Sequence, residues 1–105
     1  MNVRASRIVA DPGKAAADGG ASYRAMLDSM KQVEGFLGAL LLIDRETGNS
    51  LGLTFWESQE TLKASEQVAN KFRREGASTI GAATPPTVER FEVLHYGVPE
   101  ASAVQ

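Results

Sequence analysis

The sequence predicts an α+β domain of ferredoxin-like βαββαβ order, with two helices covering one face of a four-stranded antiparallel sheet. Three observations lead there. Two apolar runs, Phe36 to Ile43 and Leu51 to Trp56, flank the polar segment Asp44-Arg45-Glu46-Thr47-Gly48-Asn49, which is the pattern of a β-hairpin. The hairpin lies between two stretches whose apolar residues recur at helical spacing. Outside each of those stretches, near either end of the chain, comes one more strand-like segment. A chain of 105 residues is enough for one domain around a single core.

Residues 2–10 (NVRASRIVA) read as the first strand. Val3, Ala5, Arg7 and Val9 share one face, Arg4, Ser6 and Ile8 the other. This mixed polarity suggests a strand near a sheet edge, and Asp11-Pro12-Gly13 ends it. Residues 14–32 read as helical but uneven. Gly19 and Gly20 each cost about 1 kcal/mol relative to alanine in a helix interior, so the firm part begins near Ala21. Tyr23, Met26, Leu27, Met30 and Val33 form its buried stripe, and residues 14–20 are either a frayed first turn or a flap.

In the hairpin, strict alternation puts Phe36, Leu40 and Leu42 on one face and Leu37, Ala39, Leu41 and Ile43 on the other. Leu51, Leu53 and Phe55 lie opposite Gly52, Thr54 and Trp56. Ser58 then stands where an N-cap is wanted, ahead of a helix over 59–75. Leu62, Ser65, Val68, Ala69 and Phe72 make its inner stripe, and Gly76 closes it. Residues 77–86, with Pro85-Pro86, read as a loop. Residues 87–96 read as the last strand, with Glu89, Phe91, Val93 and His95 on one face. The domain is expected to span 1–97, followed by a polar tail, 98–105.

A hairpin apolar on both faces must be covered on both. Two helices cover one. The other would leave an apolar patch larger than monomers tolerate, so a homodimer pairing through the sheet face is expected. A net charge of −2 without a basic patch gives no case for nucleic acid or an anionic membrane. The absence of cysteine excludes disulfides and thiolate chemistry, and a single histidine, His95, excludes a multi-histidine metal site within one chain. No apolar run reaches membrane-spanning length. The N-terminus lacks the apolar segment of a signal peptide, which makes the cytoplasm the default location.

Several motifs together resemble the antibiotic-biosynthesis monooxygenase (ABM) superfamily. They are Gly35-Phe36-Leu37-Gly38, the Asp44-Arg45-Glu46-Thr47-Gly48 loop, Trp56-Glu57-Ser58, Ala64-Ser65 and Val88-Glu89-Arg90-Phe91-Glu92-Val93. The resemblance covers nearly the whole chain. It implies pairing as a dimeric α/β barrel, and a family that includes quinone-forming monooxygenases and haem-degrading enzymes. The haem-degrading branch carries an asparagine where this chain has Ser6, a tryptophan at Ser65, a haem-ligating histidine at Arg74 and a phenylalanine at Tyr23. Those replacements disfavour haem degradation. The branch that oxidises aromatic polyketides without a cofactor keeps the tryptophan matched by Trp56, but its asparagine falls at Gly52 and its tyrosine at Leu62.

The resulting expectation is a pocket between sheet and helices that binds a small aromatic against Tyr23, Met26, Trp56, Leu62 and Phe72. A large rigid ring such as Trp56 stacks well on another, and equally well plugs a core. His95, whose unperturbed pKa lies near neutrality, is the candidate general base, set against a solvated rim residue. Arg73 and Arg74 would either meet a phenolate or carboxylate or simply solvate a helix end. The function implied is a cofactor-independent monooxygenase acting on a phenol- or hydroquinone-type substrate with O2, with no metal or flavin. The alternative is a non-catalytic dimeric module that binds a small ligand or partner.

Overall fold

The computed structural model describes residues 1–97 and gives eight elements. They are β1 (Asn2–Val9), α1 (Pro12–Asp18), α2 (Ala21–Met30), β2 (Phe36–Ile43), β3 (Asn49–Trp56), α3 (Gln59–Ala64), α4 (Glu66–Thr79) and β4 (Thr87–Glu92). The strands form one sheet in the order β2-β3-β1-β4, every pairing antiparallel. This is the expected α+β, ferredoxin-like arrangement, with each helical segment split in two. The expected tail, 98–105, lies outside the described residues.

Each split has a local cause. Gly19 and Gly20 both adopt left-handed backbone (φ 59° and 83°), which separates α1 from α2. α1 is a capped helix rather than a frayed turn or a flap: the Asp11 carboxylate accepts from the Lys14 N–H, and Pro12 starts the first turn. The second break falls at Ser65. Its hydroxyl donates to the Leu62 carbonyl (2.7 Å), and Arg4 Nη2 donates to the same carbonyl (2.8 Å). A carbonyl drawn away by a side chain bends a helix. Ser58 caps α3 as expected, in a reciprocal box with Thr61.

Five expectations need correction. β1 is not near an edge: it sits between β3 and β4, and its polar residues have another reason, given below. Gly76 does not stop the second helical segment, which runs on to Thr79, and Val68 is exposed rather than part of the inner stripe. β4 ends at Glu92, short of the expected 96. Strict alternation also fails in β2. Phe36 pairs with Trp56 but Gly38 pairs with Phe55, so Leu37 is the extra residue of a bulge. Phe36 thereby joins Leu41 on the helix side, edge-on to Trp56 with ring centroids 5.4 Å apart, while Leu40 and Leu42 go to the open side.

The buried core is small and lies toward one end of the helix-covered face. Met30, Trp56 and Leu62 form it, with Met26, Val33, Phe36 and Phe72 packed around. The open face carries Leu40, Leu42, Val9 and Phe91, each about half exposed (48–51%). Among the described residues no helix is long and apolar enough to cross a membrane.

Candidate functional site

Between the helices and the sheet, beside that core, lies a cavity of about 120 Å³. Alternation along the strands decides what reaches it. β1 contributes Arg4, Ser6 and Ile8, and β3 contributes Ser50, Gly52 and Thr54. These strands are adjacent, with Arg4 opposite Thr54, Ser6 opposite Gly52 and Ile8 opposite Ser50, so the floor is a block of mostly polar or small side chains. Leu41 of β2 extends it. The roof is different. α2 lowers Tyr23, Met26 and Met30 onto the floor, and α4 lowers Ala69, Phe72 and Arg73. Asp18, at the end of α1, and Ser22 complete the wall.

Tyr23 is fixed from both ends. Its hydroxyl lies 2.9 Å from the Leu40 carbonyl and 3.1 Å from that of Leu53, and its one proton is shared between them. Its ring lies against Gly52 so closely that a Cβ there would come within 3.2 Å of Cε2. Burial pushes the phenol up to about 12, so it stays protonated across the neutral range. The Asp18 carboxylate accepts from the Ser22 hydroxyl (2.6 Å) and from the Ser22 backbone N–H.

Arg4 is the most deeply buried charge, with 1% of its surface exposed. Its Nη2 donates to the Leu62 carbonyl and to Ser65 Oγ (2.7 Å) and lies 3.6 Å from Glu66 Oε1. Its guanidinium stacks over the Trp56 ring at 5.5 Å, a cation–π contact. Burial lowers its pKa and the Glu66 charge opposes that shift, but a guanidinium stays charged in a protein. Glu66 is itself held below the usual carboxylate range, first by its hydrogen bond from Arg90. Arg73, bonded to Asn70, is half-buried at the cavity wall, where burial lowers its pKa.

Of the residues expected from sequence to bind ligand, Tyr23, Met26 and Phe72 line the cavity. Trp56 and Leu62 do not; at 0% and 2% exposure they are core beneath it, and Trp56 Nε1 donates to Thr54 Oγ1 (2.9 Å). His95 does not reach the cavity within this chain: β4 ends at Glu92, and His95 lies exposed three residues beyond. Sequence reasoning missed Arg4, Ser6, Asp18 and Ser22. The available signal was the polar face of the first strand, which edge strands also show. Arg73, weighed as either a partner for a phenolate or carboxylate or a solvated helix end, lines the cavity, whereas Arg74 is exposed. Among the described residues no three His, Cys, Asp or Glu side chains cluster as a metal site.

No family model matches the sequence. Two curated relatives, the uncharacterized proteins Rv2557 and MT2634 of Mycobacterium tuberculosis, are each 28% identical over 68 residues, or 65% of this chain. The match spans only 30% of the length of either relative. Solved structures align over most of the chain. The monooxygenase from the gene ActVA-Orf6 of Streptomyces coelicolor, in complex with nanaomycin D, superposes with a TM-score of 0.73 at 18% identity, over 94% of this chain and 92% of that one. The haem-degrader MhuD of Mycobacterium tuberculosis, with two haems bound, gives 0.70 at 22% identity over 93% and 100%. A Deinococcus radiodurans protein assigned to the antibiotic biosynthesis monooxygenases gives 0.70 at 13% over 96% and 100%. Identities this low speak for architecture alone, and they agree with the strand order and helix placement above: this chain has the fold that these solved structures share.

Proposed function

We propose that this chain is one subunit of a homodimeric, cofactor-independent monooxygenase that oxidises a small phenol- or hydroquinone-type aromatic with O2. The observation that carries this reading is the cavity. At about 120 Å³ it is close to the roughly 150 Å³ at which an apolar cavity accommodates a benzene ring. Its walls are Tyr23, Met26, Leu41 and Phe72, with a carboxylate, Asp18, at one side. Bound there, a phenol gives its proton to the Asp18 carboxylate, and the phenolate ring passes one electron to O2. The resulting radical pair joins as a ring carbon–oxygen bond. Asp18 returns its proton to the outer oxygen of that peroxide, and loss of the ring C–H proton with cleavage of O–O releases water and leaves a quinone. Phenol and O2 thus become quinone and water. The protein contributes orientation and a water-poor wall of side chains. Pairing through the open sheet face would cover Leu40, Leu42 and Phe91 and leave the cavity, on the opposite side, accessible.

A second reading, a non-catalytic ligand-binding module, draws on Gly52 and Leu62, where the cofactor-independent branch has polar side chains. The Tyr23 ring lies over one of these positions, and its hydroxyl is taken up by strand carbonyls. Oxygen consumption with a panel of phenols and hydroquinones separates the two. Turnover above the buffer rate is expected, falling by about 10²–10⁴ in Asp18→Asn and unchanged in His95→Ala. A rate with protein no higher than without it would leave only the binding module.

A further inference from the structure

We propose that the aromatic guest of this cavity carries a carboxylate, held between Arg4 of β1 and Arg73 of α4. The proposal rests on the reading of the cavity as a site for a small aromatic and names the group that distinguishes the guest. Arg4 spends Nη2 on Leu62, Ser65 and Glu66, yet its Nε and Nη1 are buried without a hydrogen-bond partner among the described residues. Arg73 Nη1 is in the same condition. Both arginines are among the residues lining the one cavity.

Three unpaired N–H-bearing atoms on two like charges form a costly arrangement when nothing anionic faces them. The available counter-charge is short. Glu66 is a carboxylate at this end, and it is bonded to Arg90; Arg4 shares it at 3.6 Å, and Arg73 has no ion pair with it among the described residues. The Trp56 ring offers Arg4 a quadrupole, not hydrogen-bond acceptors. A carboxylate answers each deficiency: it brings a negative charge and two oxygens that accept several N–H bonds from planar guanidiniums. Beyond the two arginines, Met26, Leu41 and Phe72 offer apolar walls to a ring. Asp18, the acidic side chain in the lining, is bonded to Ser22 and would repel a second anionic group. The guest is therefore a one-ring aromatic monocarboxylate.

The test is calorimetric titration with 2,5-dihydroxybenzoate and its uncharged amide, 2,5-dihydroxybenzamide. The acid is expected to bind about 10- to 100-fold more tightly, the range for hydrogen bonds to a charged group. Arg73→Gln should bring the two affinities together, and so should Arg4→Gln where circular dichroism shows it folded. Arg73 is on the cavity wall rather than in the core, so its variant keeps the test decisive if Arg4→Gln fails to fold. Equal binding of acid and amide to the wild type, an undiminished preference in Arg73→Gln, or no binding of either compound would overturn the proposal. Oxygen uptake recorded on the same samples is independent. An arginine-dependent preference for the acid without oxygen consumption upholds the carboxylate site and removes the oxidation.

Discussion

The two faces of β1 invert the usual arrangement of a half-covered sheet. On the face under the helices stand Arg4 and Ser6, beside Ile8; on the open face Val3, Ala5 and Val9 outnumber Arg7, beside Phe91 of β4 and the leucines of β2 and β3. An antiparallel sheet with one covered face normally turns apolar residues inward and polar ones out. The reversal teaches what each side is for. The helix side is only partly a core: Trp56, Leu62 and Met30 fill one end, and the rest is a chamber with a largely polar floor, as the proposed guest requires. The open side is greasy because, in the proposed homodimer, it is the interior.

That contrast can be broken from the open side first. Leu40→Asp with Leu42→Asp would bury charges in the paired sheets, and an uncompensated buried charge costs roughly 3–5 kcal/mol. Sedimentation should show monomer where the wild type is a dimer. A wild type that sediments as a monomer, or a dimeric double variant, would remove the explanation for the apolar face.

From the chamber side, Gly52→Asn restores a side chain where the Tyr23 ring lies 3.2 Å from a Cβ. Overpacking of this kind costs about 1–3 kcal/mol, read as a lower urea midpoint. The loss should largely vanish in a Tyr23→Ala background, since contacting residues couple. Additive losses would mean the ring does not fill that space.

The smallest effect sharpens the contrast by pH. The folded Tyr23 phenol titrates at about 12 against about 10 unfolded. Its raised pKa therefore contributes stability that is fully present below pH 10 and lost as pH rises from 10 towards 12. Wild-type protein should lose stability faster than Tyr23→Phe across that interval, while at pH 7 the variant gives up only about 1 kcal/mol for the missing hydrogen bond. Parallel alkaline melting curves would show a solvated hydroxyl.

Much of the fold was legible because its signals are local. The hairpin announced itself by two apolar runs around a polar turn, Ser58 by its place ahead of an amphipathic stretch, and the stripe Tyr23, Met26, Met30 by its spacing. The bulge at Leu37 was not legible, because one extra residue changes face assignment without changing composition. Nor was the break at Ser65, which depends on Arg4, 61 residues away in sequence. The site was read in part. Tyr23, Met26 and Phe72 were found because a cavity wall and a core stripe obey the same periodicity, and for that reason Trp56 and Leu62 could not be told apart from them.

The sequence by itself determined the order of strands and helices, the helix cap at Ser58 and the excess of apolar surface, since each follows from neighbouring residues and their period along the chain. Tertiary structure alone decided that β1 is central, that Arg4 and Arg73 converge on one cavity, and that His95 stays outside it. Those facts rest on which distant segments pair, and a side chain's burial and charge environment are set by partners that pairing brings, not by its neighbours in sequence.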